Sequence, residues 1–164
     1  MIILGIDPGL NKTGVGVLKV GNKNLSYLNH FVIKTDPKES LVLRLKEITI
    51  GLSNIIKQFQ PSYAAVEDIF YSVNIKSAIL LGQTRGCIIS TLVASGVEVM
   101  EYTALQIKKS VVGYGKADKE QVKKMVEMLL KIELKNTLND ASDALACAIC
   151  LGLNLTNYTF RNLR

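Results

Sequence analysis

The chain has 164 residues, 48% of them hydrophobic and 21% charged, with a formal net charge of +6. That length suits one well-cored domain and is short for two, the composition excludes a disordered chain, and the basic excess favours a polyanionic partner, most commonly nucleic acid. No run reaches the about eighteen unbroken apolar residues of a membrane helix, and the N-terminus lacks the charged and apolar regions of a signal peptide, so a cytoplasmic protein with no membrane partner is expected.

The first twenty residues read as an apolar run, a single aspartate, a glycine-studded turn and a second apolar run. Ile2, Ile3, Leu4 and Ile6 suit a strand covered on both faces. Asp7 stands where that strand runs out, because Pro8 has no N–H to donate and Gly9 tolerates turn conformations. Gly14 to Val17 restart an extended segment, which predicts a hairpin. A carboxylate at the end of a central strand, beside a loop whose glycines let a phosphate approach the backbone, suits metal-assisted phosphate chemistry; the same residue also fits a plain turn.

Residues 25–34 form a third strand after the Gly21, Asn22, Asn24 turn, giving an antiparallel meander. His30, the only histidine, has no ligand partner nearby in sequence and is read as structural. Leu41, Leu45, Ile48, Leu52, Ile55 and Phe59 then step by four and three, the mark of one apolar helix face, with Asp36 as the expected N-cap, Pro37 at the first helical position and Glu39 completing a capping box. Pro61 stops that helix. Residues 63–66 are a short apolar strand with Glu67 at its carboxyl end, as Asp7 is on the first strand. Asp68 is expected on the opposite face, from the two-residue period of a strand. Phe70 and Tyr71 follow in a loop, where aromatics either stack on bases or cap the core.

Residues 74–95 predict a long helix whose small residues recur every fourth position at Ala78, Gly82, Gly86, Ser90 and Ala94. Mid-helix glycines cost about 1 kcal/mol each against alanine, so a close partner is expected, either the sheet or a second subunit. A fifth strand, 97–100, leads into 105–119, where Lys108, Lys109, Lys116 and Lys119 surround a GYG turn: a phosphate-backbone docking segment or an ordinary solvated loop. Asp118 and Gln121 form a capping pair that opens another helix. The last helix, 139–153, starts with Asp140 and Asp143 on one face. Acids in a first turn cap free N–H groups; if this helix packs beside the first strand, they instead join Asp7 and Glu67 as four carboxylates of one metal site. Cys147 and Cys150 have CxxC spacing inside this helix with no second pair, so buried reduced thiols are expected, as for Cys87. Residues 1–154 read as a single domain and 155–164 as a polar tail.

The order of strands and helices resembles the ribonuclease H-like fold: α/β, with a five-stranded mixed sheet made of a three-strand antiparallel meander and two parallel strands, flanked by helices. ILGIDPGLNKTGVGV, FQPSYAAVEDIFYSVN, SAILLGQTRG, VVGYGKADKEQV and NDASDALACAI resemble, in order and spacing, the RuvC family of Holliday-junction resolvases from residue 2 to about 150. The resemblance implies an endonuclease that cuts four-way DNA junctions symmetrically to leave 5′-phosphate and 3′-hydroxyl ends. It also implies two Mg²⁺ per site, with Mn²⁺ possible, held by Asp7, Glu67, Asp140 and Asp143, the third of which is histidine in some relatives. By resemblance Phe70 would meet the junction and Lys108 and Lys119 its backbone beside the scissile phosphate, while Tyr71 and Lys116 are DNA-contact candidates from their place in the loop and the lysine-bearing segment. Tyr71, Ser72 and Leu81 depart from the family pattern, which bears on sequence preference. A homodimer and a branch-migration motor, RuvAB, are the implied partners. GIDPG followed by TGVGV also resembles the first phosphate loop of actin-like ATPases and sugar kinases, but those need two such domains. A non-catalytic junction-binding relative would have lost one of the four acids.

Overall fold

The apolar first strand is buried from both sides. In the computed structural model, which describes residues 1–21, 24–68, 74–134 and 139–161, β1 (Ile2–Asp7) is the middle of a five-stranded sheet. It pairs antiparallel with β2 (Lys12–Val20), which pairs antiparallel with β3 (Leu25–Lys34). On its other side it pairs parallel with β4 (Tyr63–Glu67), and β4 pairs parallel with β5 (Glu98–Tyr102). The sheet order is therefore β3-β2-β1-β4-β5, the mixed sheet expected from sequence.

Strand alternation divides the core between two faces. Leu4, Ile6, Val15, Val17, Ala64 and Val66 meet α1 (Leu41–Phe59) and α2 (Ile75–Ala94) through Ile48, Leu52, Ile88 and Leu92. On the other face, Ile3, Leu18 and Ala65 meet α5 (Asn139–Arg161), with α3 (Ala104–Val112) and α4 (Lys119–Leu130) outside it. Residues 141–151 of α5 are almost wholly buried apart from Asp143, as befits a helix covered all round.

That helix lies unusually close to the sheet, and glycine is the reason. A Cβ on Gly5 would stand 2.2 Å from both the Ala144 carbonyl oxygen and the Ala148 nitrogen, and one on Gly14 would stand 2.1 Å from the Asp140 oxygen. Gly16 is similarly occluded by the Leu145 backbone. These glycines of β1 and β2 therefore serve helix packing. Gly9 is restricted by its own turn, with the Lys12 oxygen 2.3 Å from where its Cβ would be.

Three details depart from expectation. Helix α1 is capped by Ser40, whose hydroxyl accepts from the Leu43 N–H, and Asp36 instead accepts from the Lys38 N–H in the preceding turn. The region read as a lysine-bearing turn begins with α3, which is closed by a Thr103–Gln106 capping box and ends on Gly113 at φ 92°, a conformation that favours glycine. Helix α5 continues to Arg161, past the end at 153 expected from sequence, because Leu153 and Leu155 still pack on the core. As expected, Cys147 and Cys150 are buried free thiols, and His30 Nδ1 is paired with the Tyr27 hydroxyl at 2.9 Å.

Gly5→Ala is expected to destabilise the fold by about 1–3 kcal/mol or more, since backbone must move to admit the methyl group. Denaturant unfolding checks this; an unchanged midpoint would mean that the close approach is not required.

Candidate active site

Asp7 and Glu67 end two neighbouring parallel strands. Ile6 pairs with Val66 in the β1–β4 ladder, so the two acids stand side by side. Counting by twos along each strand puts Asp7 with Ile3, and Glu67 with Ala65, on the face covered by α5. Asp68 goes to the opposite face, as expected, where it forms an ion pair with Arg85 of α2 at 3.2 Å.

The first turn of α5 brings the remaining acids. Asp7 pairs with Gly14 in the β1–β2 ladder, and Gly14 lies directly beneath the Asp140 carbonyl. Asp143 follows three residues on, the same face one turn later. A cleft of about 260 Å³ results, lined by Asp7, Glu67 and Asp143, by Lys108 of α3 and Lys119 of α4, and by apolar side chains including Ile107, Val122 and Ala146. Asp140 is not part of the cleft wall, but its charge acts on Asp7.

The electrostatics of the cleft are those of crowded anions. Burial, followed by Glu67, Asp143 and Asp140, pushes the Asp7 carboxyl up to about 8, against a partial offset from Lys119. Burial and Asp143 also raise Glu67, while Lys119 and Lys108 lower it. Lys119 Nζ donates to Asp143 Oδ2 at 3.1 Å, and this contact holds its ammonium charged. The pair is largely open to water on the lysine side, so its net contribution to stability is small.

Among the described residues, no three His, Cys, Asp or Glu side chains are drawn close enough to hold one ion as they stand. The donor set nevertheless fits a hard divalent cation: it is all carboxylate oxygen, and burial together with the neighbouring acids holds Asp7 toward its neutral form. Lys116 is exposed and lies outside the cleft lining. Phe70 and Tyr71 lie outside the described residues. The sequence reading missed that Lys108 is carried on a helix; Thr103 followed by Gln106 was the available signal.

A mixed sheet with acids at the carboxyl ends of its two central parallel strands, roofed by a helix that adds more acids, is the ribonuclease H-like arrangement of a nuclease. The family profile described as crossover junction endodeoxyribonuclease RuvC matches residues 3–151. The RuvC of Dechloromonas aromatica is 52% identical over 147 residues, 90% of this chain and 82% of that protein. The Nitrosomonas eutropha RuvC is 53% identical over 148 residues, with the same coverage. Thermus thermophilus RuvC in complex with Holliday junction substrate superposes with a TM-score of 0.90 at 31% identity, over 97% of each chain. The yeast mitochondrial Holliday junction resolvase Ydc2, at 14% identity and a TM-score of 0.72 over 98% of this chain and 82% of its own, shares the fold. The chain belongs to the RuvC family of Holliday-junction resolvases, endonucleases that hydrolyse DNA phosphodiester bonds.

The raised Asp7 carboxyl makes stability pH-dependent. The folded state keeps a proton that the unfolded chain releases near the ordinary aspartate value of 3.8, so stability without divalent cations falls as pH rises from about 4 to about 8. Asp7→Asn is expected to flatten most of this slope and to be the more stable protein at pH about 8. Melting curves in chelator across that range check it; parallel wild-type and mutant profiles would contradict it.

Proposed function

We propose that Asp7, Glu67, Asp140 and Asp143 are the metal ligands and catalytic acids of this resolvase, holding Mg²⁺ with two ions per site and accepting Mn²⁺ in its place. The observation that carries the reading is the convergence of Asp7, Glu67 and Asp143, from three separate parts of the chain, on one cleft edged by Lys108 and Lys119. When bound, such an ion pair supplies a water of lowered pKa and stabilises a leaving oxygen.

The protein's part is to place charge. Asp7, Glu67, Asp140 and Asp143 would hold the cations, Asp7 doing so as the carboxylate. Lys119, which pairs with Asp143 in the DNA-free protein, and Lys108 turn ammonium groups toward the scissile phosphate as its negative charge grows. Water adds to phosphorus and the 3′ oxygen leaves with a proton, giving 5′-phosphate and 3′-hydroxyl ends. Lys116, Phe70 and Tyr71 add contacts to the DNA. The Thermus protein's junction complex supports four-way DNA as the substrate of this face.

Symmetric cutting of a four-way junction needs two such sites related by a two-fold axis, which a homodimer supplies. Helix α2 offers the surface. Ile75, Ile79, Gly82, Gly86 and Val93 fall on one side of it by helical spacing, and all are exposed. Nothing lies within 4 Å of a Cβ built on Gly82 or Gly86, so the chain's own fold does not require either glycine. A second copy packed closely across this face gives them a reason. Helix α2 is also the one helix among the described residues long and apolar enough to cross a membrane by length and composition; its apolar excess is the face assigned here to the second copy. The branch-migration motor RuvAB and a cytoplasmic location complete the reading.

Asp7→Asn is expected to reduce cleavage of a synthetic four-way junction to background while binding the junction at least as well as wild type, since an anion has left a phosphate-binding face. Loss of binding, in gel-shift titrations of a folded mutant, would make Asp7 a structural residue. Gly86→Arg is expected to give a monomer by sedimentation, without paired incisions; a persistent dimer would move the interface elsewhere.

A further inference from the structure

Arg85 sits on α2, behind the sheet and out of the cleft, yet it reaches the residue that carries Glu67. Its Nε donates to the Glu67 main-chain carbonyl at 3.3 Å. Its Nη2 is shared between Asp68 Oδ1, at 3.2 Å, and Glu101 Oε2. The side chain is only 17% exposed, against 46% for Asp68 and 52% for Glu101. One guanidinium thus ties the ends of β4 and β5 to the middle of α2.

We infer that Arg85 is the positioning residue for Glu67, acting through the main chain at the end of β4 and touching neither DNA nor cation. Glu67 is the last residue of its strand, and its carboxylate is repelled across the cleft by Asp143. A terminal residue under that push swings with its own peptide plane, and the plane is what the Arg85 Nε–H holds. Asp68, on the other sheet face, and Glu101, opposite Val66 in the β4–β5 ladder, hold the guanidinium in turn. Only a planar fork serves both ends; a lysine keeps the charge but not the geometry.

This inference rests on Glu67 being a cation ligand. The test uses the full-length DNA-free protein, with Mn²⁺ affinity read by paramagnetic resonance titration alongside junction cleavage as a function of cation concentration. Arg85→Ala is expected to weaken Mn²⁺ binding about tenfold or more, as loss of a residue that orients a ligand does. The cation concentration for half-maximal cleavage should rise in step, with junction affinity unchanged. Arg85→Lys should not restore either value. Full restoration by lysine, or unchanged Mn²⁺ affinity in folded Arg85→Ala, overturns the inference. Should Arg85→Ala fail to fold, Glu101→Gln decides: a smaller shift in the same direction supports the role and none refutes it. Glu67→Gln separates the two claims, because unchanged Mn²⁺ affinity in that variant removes Glu67 as a ligand whatever Arg85 does.

Discussion

The structure depends on how closely α5 can lie on β1 and β2. The missing side chains of Gly5, Gly14 and Gly16 let helix backbone occupy the space where Cβ atoms would stand. Small residues on the helix, Ala141, Ala144 and Ala148 among them, are buried there with essentially no exposure. Close packing of this kind is stiff, because any added methyl group must displace backbone instead of a side-chain tip. The rigidity is spent at one end of the helix, where it fixes Asp140 and Asp143 above the ends of β1 and β4.

What that placement creates is an electrostatic imbalance. Three acids share a cleft with two lysines, and a fourth acts from beside it. Asp7, buried as well as crowded by acids, holds its proton to about 8, and Lys119 pairs with Asp143. Neither response satisfies every carboxylate. Acid inside and base at the rim is the charge arrangement that suits divalent cations and a phosphate together.

The sheet also joins two tasks back to back. Glu67 and Asp68 are adjacent in sequence and point to opposite faces, one into the cleft and one toward α2. The face with α5 carries the acidic cleft, while the face with α1 and α2 carries the core's second half and the exposed stripe of α2. The end of β4 is where these meet, so the helix that carries the exposed apolar stripe is tied by Arg85 to the strand that presents Glu67.

Much of this was legible in the chain itself. The apolar run of β1, the breaker Pro8 after Asp7, the alternation that separates Glu67 from Asp68 and the Asp118–Gln121 cap are local signals, and local physics decides them. The resemblance carried by five ordered blocks gave the family, which residues 3–151 match. Sequence misjudged what non-local contacts decide. Gly14 reads as one more extended residue until α5 is seen above it, Asp36 reads as a cap until Ser40 takes the role, and Lys108 reads as a loop residue until α3 forms. Arg85 carries no local signal at all, since its partners Glu67, Asp68 and Glu101 are brought to it by strand pairing. The sequence by itself determined which residue types and elements are present, because these depend on neighbours a few positions away. Only the tertiary structure decided which acids share a cleft and which side chains hold them there, because that depends on the distance between a helix and a sheet far apart along the chain.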